Sequence, residues 1–484
     1  MGSPTDWLVL GLATLGLGGL VVATEWMYRV AEGGGASRRL GHVAVCTFVA
    51  ASPWLFSGPT PICLLSGAFV LINGAAWWNG WWPGLHGARP ESWGTVAVPL
   101  AVLPAAAATW AVADERVLAF QAAFLVLGVA DPLASWLGER FETPRWVGRA
   151  TWAGTGAFLI VAWGILGAVL LGAGLPLGRA MVGAGGGALV GAVTEAISTR
   201  GSDNLFVVLG VILCLLLLGE AGGGLYVLWG SLVVGGGVGG AAAYWGLLTR
   251  RGSGAAGLFA AALVGLGGVN WAVPGIVFFG LSSALSFLPS LEQRVRPPRR
   301  TIRQVLANGG VAWTLLVVGT LVAPHAEAAP TLCYAGFVGA LAAAAADTWA
   351  TELGVRGGRR PLSLRTFRFV APGTSGAISL RGTLAGAVGA GTVVGSAGAV
   401  AGLGAPEAGW MLAGGLAGMV ADSLLGATVQ AHGKSEDGGG WNELTAPAAE
   451  PARGVSFVDN DVVNLIGTVA GAVVAIGGRA VVGG

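Results

Sequence analysis

The chain has 484 residues, of which 54% are hydrophobic and only 10% are charged, and its formal net charge is +2. Soluble domains usually carry about 25% charged residues, so this composition excludes an ordinary soluble protein and indicates a membrane-embedded one. We expect membrane lipids and no nucleic acid as partners. The four cysteines, Cys46, Cys63, Cys214 and Cys333, stand singly in apolar stretches. This pattern predicts neither a disulfide framework nor a cysteine metal site.

Long apolar runs separated by polar turns begin with Trp7–Ala23 and recur along the whole chain. Because a helix needs about 20 apolar residues to cross a bilayer, the runs predict about 12–15 spans in an all-α, polytopic integral membrane bundle. Trp7–Ala23 lacks the basic segment of a signal peptide, so we expect it to be a retained first helix. Glycine accounts for 86 residues, and small residues let membrane helices approach closely.

Two look-alike segments carry an aspartate inside an apolar run: "VADPLASWLG" (129–138) and "AADTWATELG" (345–354). An arginine-rich loop follows each, then a Gly-Thr pair in "TWAGTG" (151–156) and "APGTSG" (371–376). Later come "SDNLF" (202–206) and "VDNDVVN" (458–464). The shared order predicts two related halves, 1–240 and 241–484. The polar stretch 294–305 is the competing boundary.

A carboxylate within the bilayer is costly, so an aspartate there indicates a cation, a partner or a water-filled cavity. Small residues follow each aspartate at helical spacings of three and seven, namely Ala134 and Gly138, and Ala350 and Gly354. We expect them to leave room for a ligand beside Asp131 and Asp347. The alternative is an aspartate that caps a helix or pairs with a loop arginine.

Carboxylates, arginines and Gly-Thr turns together favour phosphate chemistry. Carboxylates hold Mg²⁺, arginines bind phosphate oxygens in bidentate fashion, and glycines let backbone N–H groups approach an anion. The chain has no Walker-type sequence, and its only lysine is Lys434. A P-loop enzyme is therefore excluded.

The first half resembles the membrane-bound, CTP-dependent polyprenol kinases, which include dolichol kinase and phytol kinase. The similar stretches are "RRLGHVAV" (38–45), "ESWGTVAVPL" (91–100), "ADPLASWLGERF" (130–141), "TWAGTG" and "TEAISTRGSDNLFV" (194–207). The resemblance implies that Asp131 and Asp203 are catalytic carboxylates and metal ligands. It implies nucleotide-site roles for Arg149, Thr151, Gly154, Thr155, Glu195 and Asn204. Ala130 and Ala150 stand where family members often have Gly and Lys.

The second half resembles another membrane family, whose plant members are phytyl-phosphate kinases. The matching stretches are "RQVLANGG" (303–310), "ADTWATELG", "RTFRFVAPGTSGAISLRGT" (365–383), "ADSLLGATVQ" (421–430) and "DNDVVNLIGT" (459–468). The resemblance implies catalytic roles for Asp347, Glu352 and Asp459. It implies metal ligation by Asp347, Asp422, Asp459 and Asp461. It implies nucleotide-site roles for Arg368, Gly373, Thr374, Ser375, Asn460 and Asn464.

Together the resemblances imply two successive phosphorylations of an isoprenoid alcohol of the geranylgeraniol or phytol type, first to the monophosphate and then to the diphosphate. The expected cofactors are Mg²⁺ and CTP, or another NTP, as co-substrate. We expect the enzyme to lie in the cell membrane with its active sites facing the cytoplasm. Two alternatives are a CTP-dependent lipid-phosphate cytidylyltransferase and a two-repeat membrane transporter or flippase.

Overall fold

The computed structural model describes residues 3–30, 34–82, 91–219, 223–285, 299–323, 326–355, 360–370, 374–434, 441–443 and 453–483. The chain divides into two compact units, Met1–Leu232 and Val233–Gly484. Their boundary falls eight residues before position 240, where the sequence pattern suggested it.

The first unit is built from helices and one short hairpin. Its elements are α1 (Pro4–Val30), α2 (Gly34–Leu55), α3 (Thr60–Asn79), α4 (Gly94–Ala108), a 3-10 turn (Asp114–Arg116), α5 (Val117–Arg140), β1 (Arg145–Val147), β2 (Ala150–Thr151), α6 (Trp152–Gly172), α7 (Leu177–Ile197) and α8 (Asp203–Gly219). Helix α9 (Gly224–Tyr244) begins in this unit and ends in the next.

The second unit contains the remaining elements. They are α10 (Arg250–Leu285), α11 (Ile302–Val322), α12 (Ala329–Gly354), β3 (Leu362–Ser363), β4 (Ala377–Ile378), α13 (Leu380–Ala401), α14 (Ala405–Thr428), β5 (His432–Lys434), β6 (Trp441–Glu443) and α15 (Asn460–Gly483). Helix α10 comprises two helical segments that meet at Gly268, whose φ of 62° breaks the helix. Each of the three β-pairs is a two-stranded antiparallel hairpin.

The prediction of an all-α, polytopic integral membrane protein is confirmed. Among the described residues, 12 helices are long and apolar enough to cross a membrane. Helices α4 and α8 are apolar but shorter. The four cysteines are free, and three of them, Cys46, Cys214 and Cys333, are buried.

Helix α12 is the centre of the second unit, where it packs against α10, α11, α13, α14 and α15. Its run from Ala335 to Ala346 is buried throughout. A Cβ added at Gly339 would lie 2.5 Å from the carbonyl oxygen of Gly471, so the backbones of α12 and α15 meet closely. Small residues allow such an approach, and the resulting van der Waals contact stabilises helix pairs in lipid.

Helix α5 has the corresponding place in the first unit and packs against α2, α6 and α8. Phe120, Phe124 and Leu127 are its largest fully buried side chains. The order α5–hairpin–α6–α7–α8 recurs in the second unit as α12–hairpin–α13–α14–α15, with the additional hairpin β5–β6 between α14 and α15. In each unit this series begins with the helix that carries the aspartate, Asp131 on α5 and Asp347 on α12. The two aspartates therefore have the same place in the element order.

Candidate functional site

A tight helix crossing follows the aspartate of the first unit. Thr151 caps α6, since its hydroxyl oxygen accepts a hydrogen bond from Gly154 N at 3.1 Å. Gly154 lies against α5, where an added Cβ would come within 2.9 Å of Ala134 O and 3.6 Å of Gly138 Cα. The hydroxyl cap and the glycine pair therefore fix α6 on α5.

The second unit repeats this crossing. Ser379 caps α13 by accepting a hydrogen bond from Gly382 N at 3.0 Å. A Cβ at Gly382 would lie 3.0 Å from Ala350 O and 3.6 Å from Gly354 Cα. The structural counterpart of Thr151–Gly154 is thus Ser379–Gly382, and not the earlier Gly-Thr pair at 373–374 that the sequence comparison matched to it.

The two crossings correct one expectation. Ala134 and Gly138, like Ala350 and Gly354, were expected to leave room for a ligand beside the aspartates. Instead a neighbouring helix occupies that space, because Gly154 and Gly382 lie directly against them. Each aspartate lies seven residues before its crossing glycine (138 − 131 and 354 − 347), which is about 10 Å along the helix at ~1.5 Å per residue.

Two acidic residues of the first unit, Asp131 and Asp203, lie near α2. His42 Nε2 lies 3.7 Å from Asp131 Oδ2 and 3.1 Å from the carbonyl oxygen of Leu127. Asp203, the first residue of α8, interacts electrostatically with Asp131, His42 and Arg38. Asp131 and Asp203 therefore lie within electrostatic range of each other, beside one histidine and one arginine.

A groove opens beside this cluster, with about 1040 Å³ of space, part of it open to the outside, between α1, α2, α3, α4 and the start of α8. Its polar lining residues are Arg38, His42, Ser66, Asn73, Ser92, Thr95 and Asn204, of which all but Ser66 lie toward one end of the groove. The rest of the lining is mainly aliphatic and aromatic. Binding sites for small molecules usually combine such an apolar wall with a few polar groups.

Other residues predicted for the first site have contacts of their own. Asn204 is buried and donates from Nδ2 to Gly94 O at 2.8 Å, which ties α8 to α4. The hydroxyl of Thr155 accepts a hydrogen bond from Trp146 Nε1 at 2.9 Å. Arg149 is largely exposed and lies 3.6 Å from Glu91. Glu195 is half-buried near the end of α7.

The second unit has a small polar cavity of about 180 Å³ inside the helix bundle. Asp347 of α12 and Asp422 of α14 line it, together with Asn308, Asn464 and Thr468. The side-chain nitrogen of Asn308 donates to Gln304 O at 3.0 Å. The side-chain oxygen of Asn308 is therefore the atom that could bind a ligand. Four helices thus present carboxylate, amide and hydroxyl groups to one point in an otherwise apolar interior.

Three acids predicted for the same site lie elsewhere. Arg303 Nη2 lies 2.6 Å from Asp459 Oδ2, and Arg303 Nε lies 3.4 Å from Asp461 Oδ2. Asp459 also caps α15 by accepting from Val462 N at 3.0 Å. Glu352 interacts electrostatically with Arg300. Burial lowers the pKa of the Arg300 guanidinium, and the negative charge of Glu352 opposes that effect only in part. None of the three acids lines the described cavity.

The predicted anion-binding turn lies at the end of the bundle where α12 and α14 end and α15 begins. The Ser375 hydroxyl donates to Gln430 Oε1 at 2.8 Å, and Thr374 O accepts from Ala377 N. Gly376 adopts a φ of 70° and packs directly against Ala427. Two further predicted residues are described here, the exposed Arg368 and Asn460, the first residue of α15. Gly373 lies outside the described residues.

The donor set of the cavity fits Mg²⁺. Within the described ranges, no three or more His, Cys, Asp or Glu side chains converge as a metal cage. Mg²⁺ does not require one, because it keeps several waters and is commonly held by one or two carboxylates together with substrate phosphates. Asp347 and Asp422 supply two carboxylates, and Asn308 and Asn464 supply hard amide oxygens.

Sequence reasoning missed two of the cavity residues, Asn308 and Thr468. Each is a polar residue within an apolar helix, and each lies in a stretch whose other residues carry the family resemblance. Thr468 Oγ1 also donates to Ala307 O at 3.2 Å, which joins α15 to α11. An isolated polar side chain on a buried helix face was the signal that could have identified both.

The family comparison concerns the second unit. Residues 233–472 match the family described as integral membrane protein DUF92. The chain is 28% identical over 239 residues to Protein PGR of Arabidopsis thaliana, covering 44% of this chain and 83% of the relative. It is 31% identical over 177 residues to an uncharacterized membrane protein of Methanocaldococcus jannaschii, covering 37% of this chain and 61% of the relative. No solved structure is significantly similar to the chain. The second unit, with its oxygen-lined cavity, is thus similar to the DUF92 integral membrane proteins.

Proposed function

We propose that this membrane protein is an isoprenoid kinase with one site in each unit. The first unit phosphorylates a polyprenyl alcohol, and the second phosphorylates the resulting monophosphate to the diphosphate. The phosphoryl donor is CTP or another NTP. The observation that carries the proposal is the cavity of the second unit, where Asp347, Asp422, Asn308 and Asn464 meet inside an apolar bundle.

The cavity residues suit a metal-assisted phosphate site. Two half-buried carboxylates that line one cavity in a low-dielectric bundle repel each other, so a bound cation stabilises the pair. Asp347 and Asp422 would hold Mg²⁺, with the amide oxygens of Asn308 and Asn464 beside them. When bound, the ion would neutralise phosphate charge. The remaining catalytic contribution of this chain is to position the reactants, which is the main requirement of phosphoryl transfer.

The reaction in the second unit needs no proton acceptor. An oxygen of the lipid monophosphate forms a bond with the terminal phosphorus of the NTP. The bond from that phosphorus to the bridging oxygen breaks, and the nucleoside diphosphate leaves. In the first unit the attacking group is a hydroxyl, and its proton passes to a carboxylate. Asp131 is the candidate acceptor because it lies beside the groove residue His42.

The arginines support an active end that faces the cytoplasm. Arg140, Arg145 and Arg149 lie at the end of α5 and in the hairpin after it, and Arg365 and Arg368 occupy the same place after α12. Polar segments rich in arginine stay on the cytoplasmic side of a membrane. NTP is available on that side, and Asp347 lies about 10 Å from the same end of α12 at ~1.5 Å per residue.

Product analysis tests the proposal. The purified protein in detergent is incubated with geranylgeraniol, Mg²⁺ and each of the four NTPs in turn, and the lipid products are identified by mass spectrometry. The proposal predicts the monophosphate first and the diphosphate later, with one nucleoside diphosphate released at each step. A CDP-linked lipid would identify a cytidylyltransferase instead, and the absence of any phosphorylated lipid with all four NTPs would refute the kinase.

A further inference from the structure

The groove of the first unit changes in polarity along its length. On α2 the lining residues run from Arg38 and His42 to Val45 and Phe48, and on α3 they run from Asn73 through Phe69 to Ile62. Apart from Ser66 on α3, the polar lining residues of both helices lie at the same end, because α2 begins there and α3 ends there. A ligand that fits must therefore have one polar end and one apolar end.

The length of the groove matches one leaflet of a membrane. Arg38 and Val49 lie eleven residues apart on α2 (49 − 38), which corresponds to about 16 Å at ~1.5 Å per residue. The hydrocarbon core of a bilayer is roughly 30 Å thick, so the groove reaches about halfway through it.

The polar end adjoins the acidic cluster. His42 lines the groove and also lies 3.7 Å from Asp131, while Asn204, which follows Asp203 directly, lines the same end. Arg38 lines the groove and interacts electrostatically with Asp203. A hydroxyl group held between these side chains would be next to both predicted carboxylates.

Helix α1 forms part of the groove wall. Leu17, Leu20 and Val21 of this helix line the groove, yet only Asp6 and Thr24 of α1 are buried. Helix α1 packs against α2 and α3, and Ser57 N donates to Asp6 Oδ1 at 2.9 Å near one end. A lipid can therefore reach the groove sideways from the bilayer past a loosely packed helix.

We infer that this groove binds the hydrocarbon chain of a single-chain lipid alcohol, with its hydroxyl at Arg38, His42 and Asn204. This inference rests on the proposed function for the first unit and assigns the site of its lipid substrate. The polar end offers amide and hydroxyl groups with one guanidinium. Such an end suits a hydroxyl, whereas a phospholipid would bring two chains and a large headgroup.

Photolabelling tests the inference without any catalytic step. A diazirine analogue of geranylgeraniol is photolysed with the full-length protein in detergent, without nucleotide or Mg²⁺, and labelled peptides are mapped by mass spectrometry. We expect saturable labelling of α2, α3 and α4 that excess geranylgeraniol prevents and phosphatidylcholine does not. Equal competition by phosphatidylcholine, or labelling confined to the outward-facing Leu71 and Trp54, would overturn it.

Two variants of α1 provide the matched comparison. Leu17→Trp fills the groove, whereas Leu15→Trp places the same ring on a residue that is 74% exposed on that helix. We expect Leu17→Trp to lose saturable labelling and Leu15→Trp to retain it, with both proteins eluting as folded particles. Unchanged labelling in Leu17→Trp contradicts the inference. Groove labelling without any lipid phosphate product would refute the kinase activity but not lipid binding in the groove. Lipid phosphate product without groove labelling would refute binding in the groove but not the kinase activity.

Discussion

A Cβ placed on Gly154 would lie 2.9 Å from the carbonyl oxygen of Ala134, on the helix that carries Asp131. Backbone cannot move aside as a flexible side chain can, so Gly154→Ala must push α6 away from α5. Overpacking of this kind costs about 1–3 kcal/mol. We expect Gly154→Ala to lower the melting temperature in detergent and to slow phosphorylation of geranylgeraniol. Gly156→Ala on the same helix is the control, because a Cβ there has no neighbour within 4 Å.

The second unit gives the parallel prediction. Gly382→Ala would bring a Cβ within 3.0 Å of both Ala350 O and Ser379 Oγ, whereas Gly391→Ala on the same helix has no neighbour within 4 Å. We expect Gly382→Ala to slow phosphorylation of geranylgeranyl monophosphate, and Gly391→Ala to resemble the wild type. If Gly391→Ala were as harmful as Gly382→Ala, the close crossing would not be the cause.

Asp459 tests whether an acid near the cavity serves structure or chemistry. It caps α15 and forms a partly exposed ion pair with Arg303. Asp459→Asn keeps a side chain suited to capping, so we expect nearly normal phosphorylation of the lipid monophosphate. Asp459→Ala removes the cap and should reduce the free energy of unfolding by about 0.5–2 kcal/mol. A folded but inactive Asp459→Asn protein would instead support the catalytic role that the sequence resemblance implied.

His432 makes the stability of the second unit depend on pH. Its ring is buried, and burial lowers its pKa, although the hydrogen bond from Nδ1 to Gln430 O partly opposes this effect; nearby Arg453 also lowers the pKa. Below a pH of about 6.5, the ordinary pKa of histidine, the unfolded chain therefore binds a proton that the folded protein does not. The folded protein becomes less stable as the pH is lowered. Melting temperatures between pH 8 and pH 5 should fall more steeply for the wild type than for His432→Gln. Equal slopes would show that His432 does not contribute.

The membrane class and the element order followed from the sequence, because apolar length and helix-breaking polar loops are local properties. The side-chain partners were harder to foresee. Asp461 and Asn464 lie three residues apart on α15, yet Asp461 pairs with Arg303 and Asn464 lines the cavity. Which of them faces inward depends on how α15 packs against α11 and α12, and sequence spacing does not specify that packing.

The small residues show the same limit in another form. Ala134 and Gly138 suit a bulky ligand and a close helix equally well, and the structure places a helix there. The groove of the first unit could not be predicted at all from any single stretch. Its wall is assembled from five helices spread between Leu17 and Asn204, and only their packing creates the enclosed space.

The central claim is that Asp347 and Asp422 serve phosphoryl transfer to a lipid phosphate, and substitution of these acids tests it most directly. The rate of Mg²⁺-dependent conversion of geranylgeranyl monophosphate to the diphosphate is measured for Asp347→Asn, Asp422→Asn and the exposed-acid control Glu327→Gln. We predict at least a hundredfold loss for both cavity variants, on the order of what removal of a single charge-stabilising group costs. Glu327→Gln and conversion of geranylgeraniol to the monophosphate should be unaffected. Full diphosphate synthesis by folded Asp347→Asn and Asp422→Asn would contradict the account.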